Sequence, residues 1–459
     1  MNHFFVDVIL PIPLEKSFTY RITPAESEFI KAGMRVSVPF GKSKIYTGIV
    51  LAIHTNEPLI YEAKDIHQIL DETPVVTQAQ FRLWEWMSNY YMCTLGDVMR
   101  AALPGAFILD SETIISKNLT SDINEAELKD DEFLIFEALQ HQTSLKIQDI
   151  SNIVDKKNVL PLVKRLLEKE AISVHEEIFD KYKPKLVRYV KLQSKFHNQG
   201  ALQELLEELS RAPKQRDVVM TLFSLTAKSK KPIPVSDLTT ASNSSSAIVK
   251  SLIDKDILEE YFVQTDRVQY DDQETEGSKH LNDAQEVAMK DILESFENQN
   301  IVLLHGDTSS GKTEIYVKLI EDALKQGKQV LYLLPEIALT TQLVTRLQNY
   351  FGEQVAVFHS KYSSNERVEV WNQVLSNSPK AQVILGARSS VLLPFYDLGL
   401  VIVDEEHEQS YKQFDPAPRY HARDTAIVLA SIFKTKTLLG SATPSLESYY
   451  NAQQQNYGL

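Results

Sequence analysis

Residues 301–313, IVLLHGDTSSGKT, constrain the fold more than any other stretch of this chain. Ile301 to Leu304 is a short apolar run of the kind a buried strand uses. Gly306, Asp307, Thr308, Ser309, Ser310, Gly311, Lys312 and Thr313 follow directly, and Glu314 to Lys325 has the spacing of an amphipathic helix. Strand, glycine-bracketed loop and helix in that order are the context a phosphate-binding loop requires. The glycines let the backbone curl so that successive N–H groups and the helix N-terminus face one anion. Lys312 is placed to reach the β- and γ-phosphates of ATP, and the Thr313 hydroxyl to hold Mg²⁺.

The chain has 459 residues, enough for about three or four domains. Its net charge of −14 argues against indiscriminate nucleic-acid binding but leaves room for a local basic groove. Cys93 is the single cysteine, which excludes an internal disulfide or a cysteine-rich metal cluster within this sequence. No apolar run reaches the length of a membrane span, and the N-terminus has no basic stretch ahead of its apolar residues. A cytoplasmic protein is expected.

Residues 1–105 carry 9 Lys+Arg against 11 Asp+Glu and begin with short alternating runs: Phe5 to Leu10, Phe18 to Ile22, Arg35 to Pro39 and Tyr46 to Ile53. Proline, glycine and charged turns between them predict a small β-barrel or sandwich. A helix holding Trp84, Trp86, Tyr90 and Tyr91 follows, its aromatics expected in a core. Residues 106–130 read as an acidic linker. Two similar units come next, expected at 131–195 and 196–275. The pattern Val163 to Ile172 recurs at Val249 to Leu258, each an amphipathic helix leading into a β-rich end. Three helices and a hairpin describe a winged helix, here duplicated. Lys156, Lys157, Lys164 and Arg165 are its candidate DNA-reading cations, with a scaffold role as the alternative.

From residue 276 onward the texture changes. Apolar runs at Ile301–Leu304, Val330–Leu334, Val355–Phe358, Val383–Leu385, Leu400–Val403 and Thr437–Leu439 alternate with amphipathic helices. That alternation predicts a parallel sheet covered on both faces, with ligands at the carboxyl ends of its strands. The fold class expected is therefore multidomain α+β and α/β.

The strand Leu400 to Val403 ends in Asp404-Glu405-Glu406-His407. Asp404 is placed to hold Mg²⁺ opposite Thr313, and Glu405 to polarise an attacking water. A kinase has no use for that water-activating acid. One strand later, Ser441-Ala442-Thr443-Pro444 supplies two hydroxyls. These stretches resemble superfamily 2 helicase motifs I, II and III, with His407, Ser441 and Thr443 as coupling residues.

Further stretches are similar to one family, the primosomal replication-restart helicases called PriA. They are Leu281-Asn-Asp283-Ala-Gln285, Leu334-Pro-Glu336-Ile-Ala-Leu-Thr340-Thr341-Gln342, and Gly386-Ala-Arg388-Ser389-Ser390. An aromatic-rich loop runs from Tyr411 through Phe414 and Arg419 to Tyr420. The resemblance assigns Gln285 to the adenine. It assigns Thr340, Gln342, Arg388, Ser389, Tyr411, Phe414, Arg419 and Tyr420 to DNA, a composition suited to stacking on single-stranded bases.

In the N-terminal unit, Phe18-Thr19-Tyr20, Val38-Pro-Phe40-Gly41-Lys42 and Lys64 resemble the family's 3′-end-binding domain. Phe18, Thr19, Gly41 and Lys64 would line its pocket. The family commonly carries Asp at the position of Thr19, and a hydroxyl accepts a hydrogen bond more weakly than a carboxylate. The tandem winged helix also departs from the single one common in the family.

The resemblance implies an ATP- and Mg²⁺-dependent 3′-to-5′ DNA helicase of replication restart that recognises abandoned forks and starts primosome assembly. Its implied partners are forked DNA with a leading-strand 3′ end, single-stranded DNA, single-stranded-DNA-binding protein and helicase-loading proteins. A second RecA-like lobe and zinc-binding cysteines are expected beyond Leu459. The chain is thus read as the DNA-binding half and first motor lobe, able to bind forked DNA and weakly bind ATP but not to unwind. A duplex-DNA translocase of superfamily 2 and a non-enzymatic loading platform remain as alternatives.

Overall fold

The computed structural model describes residues 4–41, 44–108, 111–118, 128–156, 159–169, 171–178, 185–196, 198–228, 232–264, 280–307, 310–338, 341–359 and 362–459. Lys42, Lys157, Thr308, Ser309 and Thr340, and residues 265–270 of the second β-rich end, lie outside them. The chain forms two compact units, residues 183–269 and all the rest.

The larger unit starts with an antiparallel sheet of β1 (Phe4–Ile9), β2 (Phe18–Ile22), β3 (Arg35–Phe40), β4 (Lys44–His54) and β5 (Gln68–Ile69), ordered β2-β1-β4-β3-β5. Its two edges do not stay open. Arg21 of β2 exchanges backbone bonds with Lys64 and Ile66, and shortly afterwards Gln68 pairs with Ser37 of β3. The segment 64–69 therefore ties one edge to the other in a barrel-like closure, which removes exposed edges and brings Lys64 beside β2. Val6, Val8, Val36, Val38 and Val50 fill the interior.

The helix Gln78–Tyr90 is capped by Thr77 and packs on the α/β domain. Gln80 donates to the Leu392 carbonyl at 2.8 Å, and Trp371 donates to the Val75 carbonyl at 2.9 Å, both bonds buried. Trp84 is fully buried, as its helical spacing predicts, whereas Tyr90 is exposed and stacks on Trp86.

The predicted linker needs correction. Residues 111–117 form β6 (Ser111–Lys117), which pairs with β7 (Leu145–Lys146) and β8 (Ile172–Ile178). Ile115 of that strand is buried in the core formed with Ile135, Leu139 and Leu166. In this unit the helices are Asp130–His141, Ile147–Val154 and Leu160–Glu168. The smaller unit repeats the plan with β9 (Leu186–Leu192), β10 (Ile233–Pro234) and β11 (Leu258–Gln264) in the order β10-β9-β11. Each unit thus begins with a strand lying ahead of its helices. The expected boundaries at 130 and 195 cut that strand away, because a short strand with charged residues reads as linker until its partner is known.

The α/β domain contains all six predicted strands: β12 (Ile301–His305), β13 (Gln329–Leu333), β14 (Val355–Phe358), β15 (Val383–Gly386), β16 (Leu398–Asp404) and β17 (Lys436–Ser441). They pair in parallel in the order β12-β17-β16-β13-β15-β14. The strands that end in the phosphate loop, the acidic cluster and the Ser-Ala-Thr turn are therefore neighbours, and their carboxyl ends form one rim.

Candidate nucleotide and nucleic-acid sites

The phosphate loop leaves β12 at Gly306, whose N–H donates to the Ser441 carbonyl at 3.1 Å. Gly311 has φ +82°, a left-handed conformation that a side chain disfavours. A Cβ there would also come within 2.3 Å of the Gln285 amide nitrogen. The helix Lys312–Lys325 begins at once, with Thr313 in its first turn. Lys312 is buried, and its Nζ donates to the carbonyls of Gly306 at 2.8 Å and Asp307 at 3.2 Å. It makes no ion pair among the described residues. A buried ammonium held only by neutral carbonyls, at the N-terminus of helix Lys312–Lys325, fits a phosphate group.

Gln285 is occupied differently from its expected role. Its Oε1 accepts from the Asn282 N–H at 3.0 Å, and its Nε2 lies 3.4 Å and 3.3 Å from the carbonyls of Ser310 and Gly311. Both ends of the amide are engaged in capping a helix and bracing the loop, with a lone pair of Oε1 still open.

Asp404 ends β16 in a cage of phenols. Tyr316 donates to Oδ1 at 3.0 Å, Tyr332 to Oδ2 at 3.1 Å, and Tyr411 to the Asp404 carbonyl at 2.7 Å. Burial, helped by the adjacent Glu405 charge, holds the carboxyl above its ordinary range although the bonds from Tyr316 and Tyr332 oppose it. The same burial, next to the carboxylate, drives all three phenols far above their ordinary range, which keeps them as donors. Glu405 follows at φ +48°, a conformation that costs a non-glycine residue on the order of 1 kcal/mol and is concentrated at functional sites.

His407 joins the acidic cluster to the next strand. Its Nδ1 is 2.8 Å from Ser441 Oγ and its Nε2 is 3.3 Å from Thr443 Oγ1, while the Thr443 N–H donates to Ser441 Oγ at 3.0 Å. The three predicted coupling residues are thus in one hydrogen-bonded group.

Glu406 has no exposure and no role in the sequence reading. It accepts from Arg423 at 2.8 Å, from the Ser445 N–H at 2.6 Å and hydroxyl at 3.0 Å, and from Ser448 at 2.8 Å. Tyr316 and Tyr332 were missed as well. Their positions on a helix and a strand read simply as core, and only the tertiary contact with Asp404 separates them from other buried aromatics.

The predicted DNA-facing residues divide. Gln342 and Phe414 are exposed, and Arg419 donates to the Phe414 carbonyl at 2.9 Å. Arg388 donates to the Lys412 carbonyl at 3.1 Å, and Ser389 beside it is half-buried. Tyr411 and Tyr420 require correction as stacking platforms: they are 0% and 1% exposed. Tyr411 is held under Asp404, and the Tyr420 hydroxyl points at the Arg388 carbonyl 3.4 Å away. Their rings form the floor of the loop and leave Phe414 as its exposed aromatic.

Phe18, Thr19, Gly41 and Lys64 converge on one pocket of about 200 Å³, with Phe40, Tyr61 and Glu62 in its wall. Lys64 donates to the Gly41 carbonyl at 2.7 Å. The Thr19 hydroxyl donates to Asp7 Oδ1 at 2.7 Å across the β1–β2 pair. That bond holds the Thr19 hydroxyl on the strand face opposite Phe18 and Tyr20, and it is the Thr19 N–H, donating to the Tyr61 hydroxyl at 2.9 Å, that stands at the pocket wall. No sequence pattern marks Asp7, because its partner is fixed by strand register.

In the first winged-helix unit the candidate DNA-reading cations Arg165 and Lys156 are committed internally. Arg165 and Lys169 both pair with Glu132 at 2.8 Å, and Lys156 pairs with Asp131. Glu132 is fully buried, so this cluster is structural.

Four family descriptions match this chain. A PriA 3′DNA-binding domain matches residues 7–104, a winged helix domain 112–177, a PriA helicase winged helix domain of Bacteroidota 187–265, and a DEAD/DEAH box helicase 282–452. The replication restart protein PriA of Bacillus subtilis is 35% identical over 99% of this chain and 55% of its own length. That of Haemophilus influenzae is 33% identical over 98% and 51%, and that of Synechocystis 32% over 97% and 53%. The chain therefore spans about half the length of these relatives. Over that span, from the 3′DNA-binding domain through both winged helices to the helicase domain, it belongs to the PriA replication restart family.

Proposed function

We propose that this chain provides the DNA-binding half and first motor lobe of an ATP-hydrolysing 3′-to-5′ DNA helicase. Its task is to recognise an abandoned fork through the leading-strand 3′ end and to start primosome assembly in the cytoplasm. The observation that carries this reading is the coexistence of two separate sites. One is the phosphate loop beside a caged aspartate; the other is a small pocket on a closed β-domain where Phe18, Thr19, Gly41 and Lys64 meet. A duplex translocase has no need of the second site.

In this reading Lys312 and the loop N–H groups hold the phosphates of ATP, while Thr313 and Asp404 would hold Mg²⁺, which would neutralise the phosphate charge. ATP supplies the phosphoanhydride whose cleavage drives movement. Glu405 takes the proton of the attacking water. His407, between Glu405 and the Ser441–Thr443 hydroxyls, registers a change at the acidic cluster and passes it to the turn after β17. The loop bearing Phe414 and Arg419 touches single-stranded DNA, and Tyr411 ties that loop to the backbone of Asp404. Forked DNA, single-stranded-DNA-binding protein and helicase-loading proteins are its proposed partners.

An arginine finger from another lobe contributes on the order of 10³–10⁵ in rate to related NTPases. This chain alone should therefore bind ATP but hydrolyse it slowly. Two measurements test the reading. Forks with a 3′-hydroxyl end at the branch should bind tighter than forks with a 3′-phosphate, and Lys64→Ala should erase the difference. Lys312→Ala should abolish ATP binding. Equal binding to both forks removes the fork-sensing role, and fast DNA-stimulated hydrolysis by this chain removes the half-motor reading.

A further inference from the structure

A second cavity, of about 570 Å³, opens between the N-terminal β-domain and the α/β domain. Tyr46 of β4 lines one side, Arg100 at the end of helix Leu95–Ala102 another, and Arg367 of helix Ser364–Leu375 a third. Nothing in the nucleotide site or the 3′-end pocket uses these residues.

Arg367 is in an unusual electrostatic position. Its Nε is buried and donates to no acceptor among the described residues. It forms no ion pair there, and its guanidinium lies over the Phe358 ring, 5.3 Å from the centroid. Loss of water pulls its pKa below the ordinary arginine range, with only the Tyr420 phenol opposing. Arg100 faces the same cavity and donates to the Pro11 carbonyl, again with no carboxylate partner among the described residues. Buried or half-buried cations are normally paired, because an unpaired one forfeits hydration without return. Arg367 is half-buried and carries that cost, whereas Arg100 is exposed and stays hydrated, but two cations on one cavity still repel each other. A ligand with delocalised negative charge and several acceptor oxygens relieves both costs, and guanidinium forks match phosphate oxygens in geometry.

The rest of the wall indicates which phosphate. Tyr46 packs edge-on against Phe40 with centroids 5.8 Å apart, and Phe40 packs edge-on against Phe18 at 5.1 Å. Phe40 and Phe18 are walls of the 3′-end pocket. The cavity is therefore one ring contact, Tyr46 on Phe40, from that pocket. Its mixed lining, the Tyr46 ring with Pro11, Ile12 and Leu103 beside two arginines, suits a nucleotide more than a free inorganic anion.

We propose that this cavity is a second nucleic-acid subsite, in which Arg367 and Arg100 hold a phosphodiester of a bound single strand. The proposal rests on reading the N-terminal unit as a DNA-binding domain, and it extends that reading to a backbone contact shared with the motor lobe. A strand bridging the two would fix the position of the 3′ end relative to the lobe.

The test uses this chain, 5′-labelled short single strands ending in 3′-hydroxyl or 3′-phosphate, and a salt series without ATP. Arg367→Gln and Arg100→Gln should each weaken binding and flatten the plot of log affinity against log salt by about 0.7 for each phosphate that is no longer neutralised. Arg367→Lys should keep most of the slope. Thermal unfolding of each variant shows that the fold survives. Unchanged slopes in both glutamine variants, with end discrimination intact, overturn the subsite and leave the 3′-end reading standing. Flattened slopes with no discrimination between the two ends sink the 3′-end reading and support the subsite. Displacement of the strand by inorganic phosphate at equal concentration makes the cavity a free-anion site and overturns the proposal.

Discussion

Glu406→Gln is the substitution whose consequence follows most directly from the geometry. Glu406 is completely buried and receives four hydrogen bonds, from Arg423, from the Ser445 N–H and hydroxyl, and from Ser448. Glutamine has nearly the same shape but leaves the buried Arg423 without its carboxylate. Breaking one side of a buried ion pair costs about 3–5 kcal/mol. Here Asp424 still holds Arg423 Nε at 2.8 Å, from a carboxylate 39% exposed and so partly screened. That residual partner reduces the expected loss to about 2–3 kcal/mol. Burial alone would raise the Glu406 pKa, but the Ser445, Arg423 and Ser448 bonds outweigh it and hold the carboxyl below its ordinary value. A depressed folded-state pKa means the contribution is complete above the ordinary carboxylate range and disappears as pH falls through the folded value. The gap between the wild type and Glu406→Gln should therefore narrow in acid. Because the chain has several domains, whole-chain melting is not two-state. Hydrogen exchange in residues 441–453 as a function of urea isolates the region. A loss below about 0.5 kcal/mol at neutral pH, the scale of an ordinary surface change, would refute the reasoning. So would a loss that does not change with pH.

Three other outcomes are expected. Gly440→Ala places a Cβ 1.8 Å from the Tyr316 hydroxyl, which is fully buried and cannot retreat; an overpacking cost of about 1–3 kcal/mol and weaker ATP binding should follow, measured by urea-dependent hydrogen exchange in residues 436–441 and nucleotide titration. Asp7→Ala removes the acceptor of the Thr19 hydroxyl across the β1–β2 pair and should cost about 0.5–1.5 kcal/mol, read by urea-dependent hydrogen exchange in residues 4–22; unchanged exchange there removes the bond as a stabilising contact. Glu132→Gln tests the winged-helix cluster. Burial opposes ionisation, yet Lys169 and Arg165 take the pKa from 4.5 to about 2. Their 35% and 42% exposure screens the pair and limits its worth to about 1–2 kcal/mol. That stability should be full above about pH 5 and lost towards pH 2, so acid titration of wild type and Glu132→Gln should converge there.

The motor lobe was legible because its code is local. A four-residue apolar run ending in Gly306 or Asp404 says both that a strand is buried and where its carboxyl end lies. Six such runs were enough to expect the parallel sheet and the rim of motifs. The winged-helix edges were less legible. β6 carries Glu112 and Lys117 and acquires its meaning only by pairing with β8, a strand that begins far along the chain at Ile172, beyond all three helices of the unit.

What the amino-acid sequence determined by itself was the set of chemical parts: a glycine-bracketed loop with its lysine, acids at a strand tip, paired hydroxyls, and Phe18, Thr19, Gly41 and Lys64 far apart in the chain. Their types follow from covalent structure and short-range backbone preference, which a sequence displays directly. The tertiary structure alone decided which side chains share an environment. Strand register put Asp7 under Thr19; sheet order put Tyr332, and the packing of helix Lys312–Lys325 on the sheet put Tyr316, on the two oxygens of Asp404; burial withdrew Tyr411 and Tyr420 from the surface. Domain docking set Arg100 and Arg367 around one cavity without an acid among the described residues to balance them. Hydrogen bonds and desolvation act over a few ångströms of space whatever the separation in the chain, so these assignments exist only once the chain has folded.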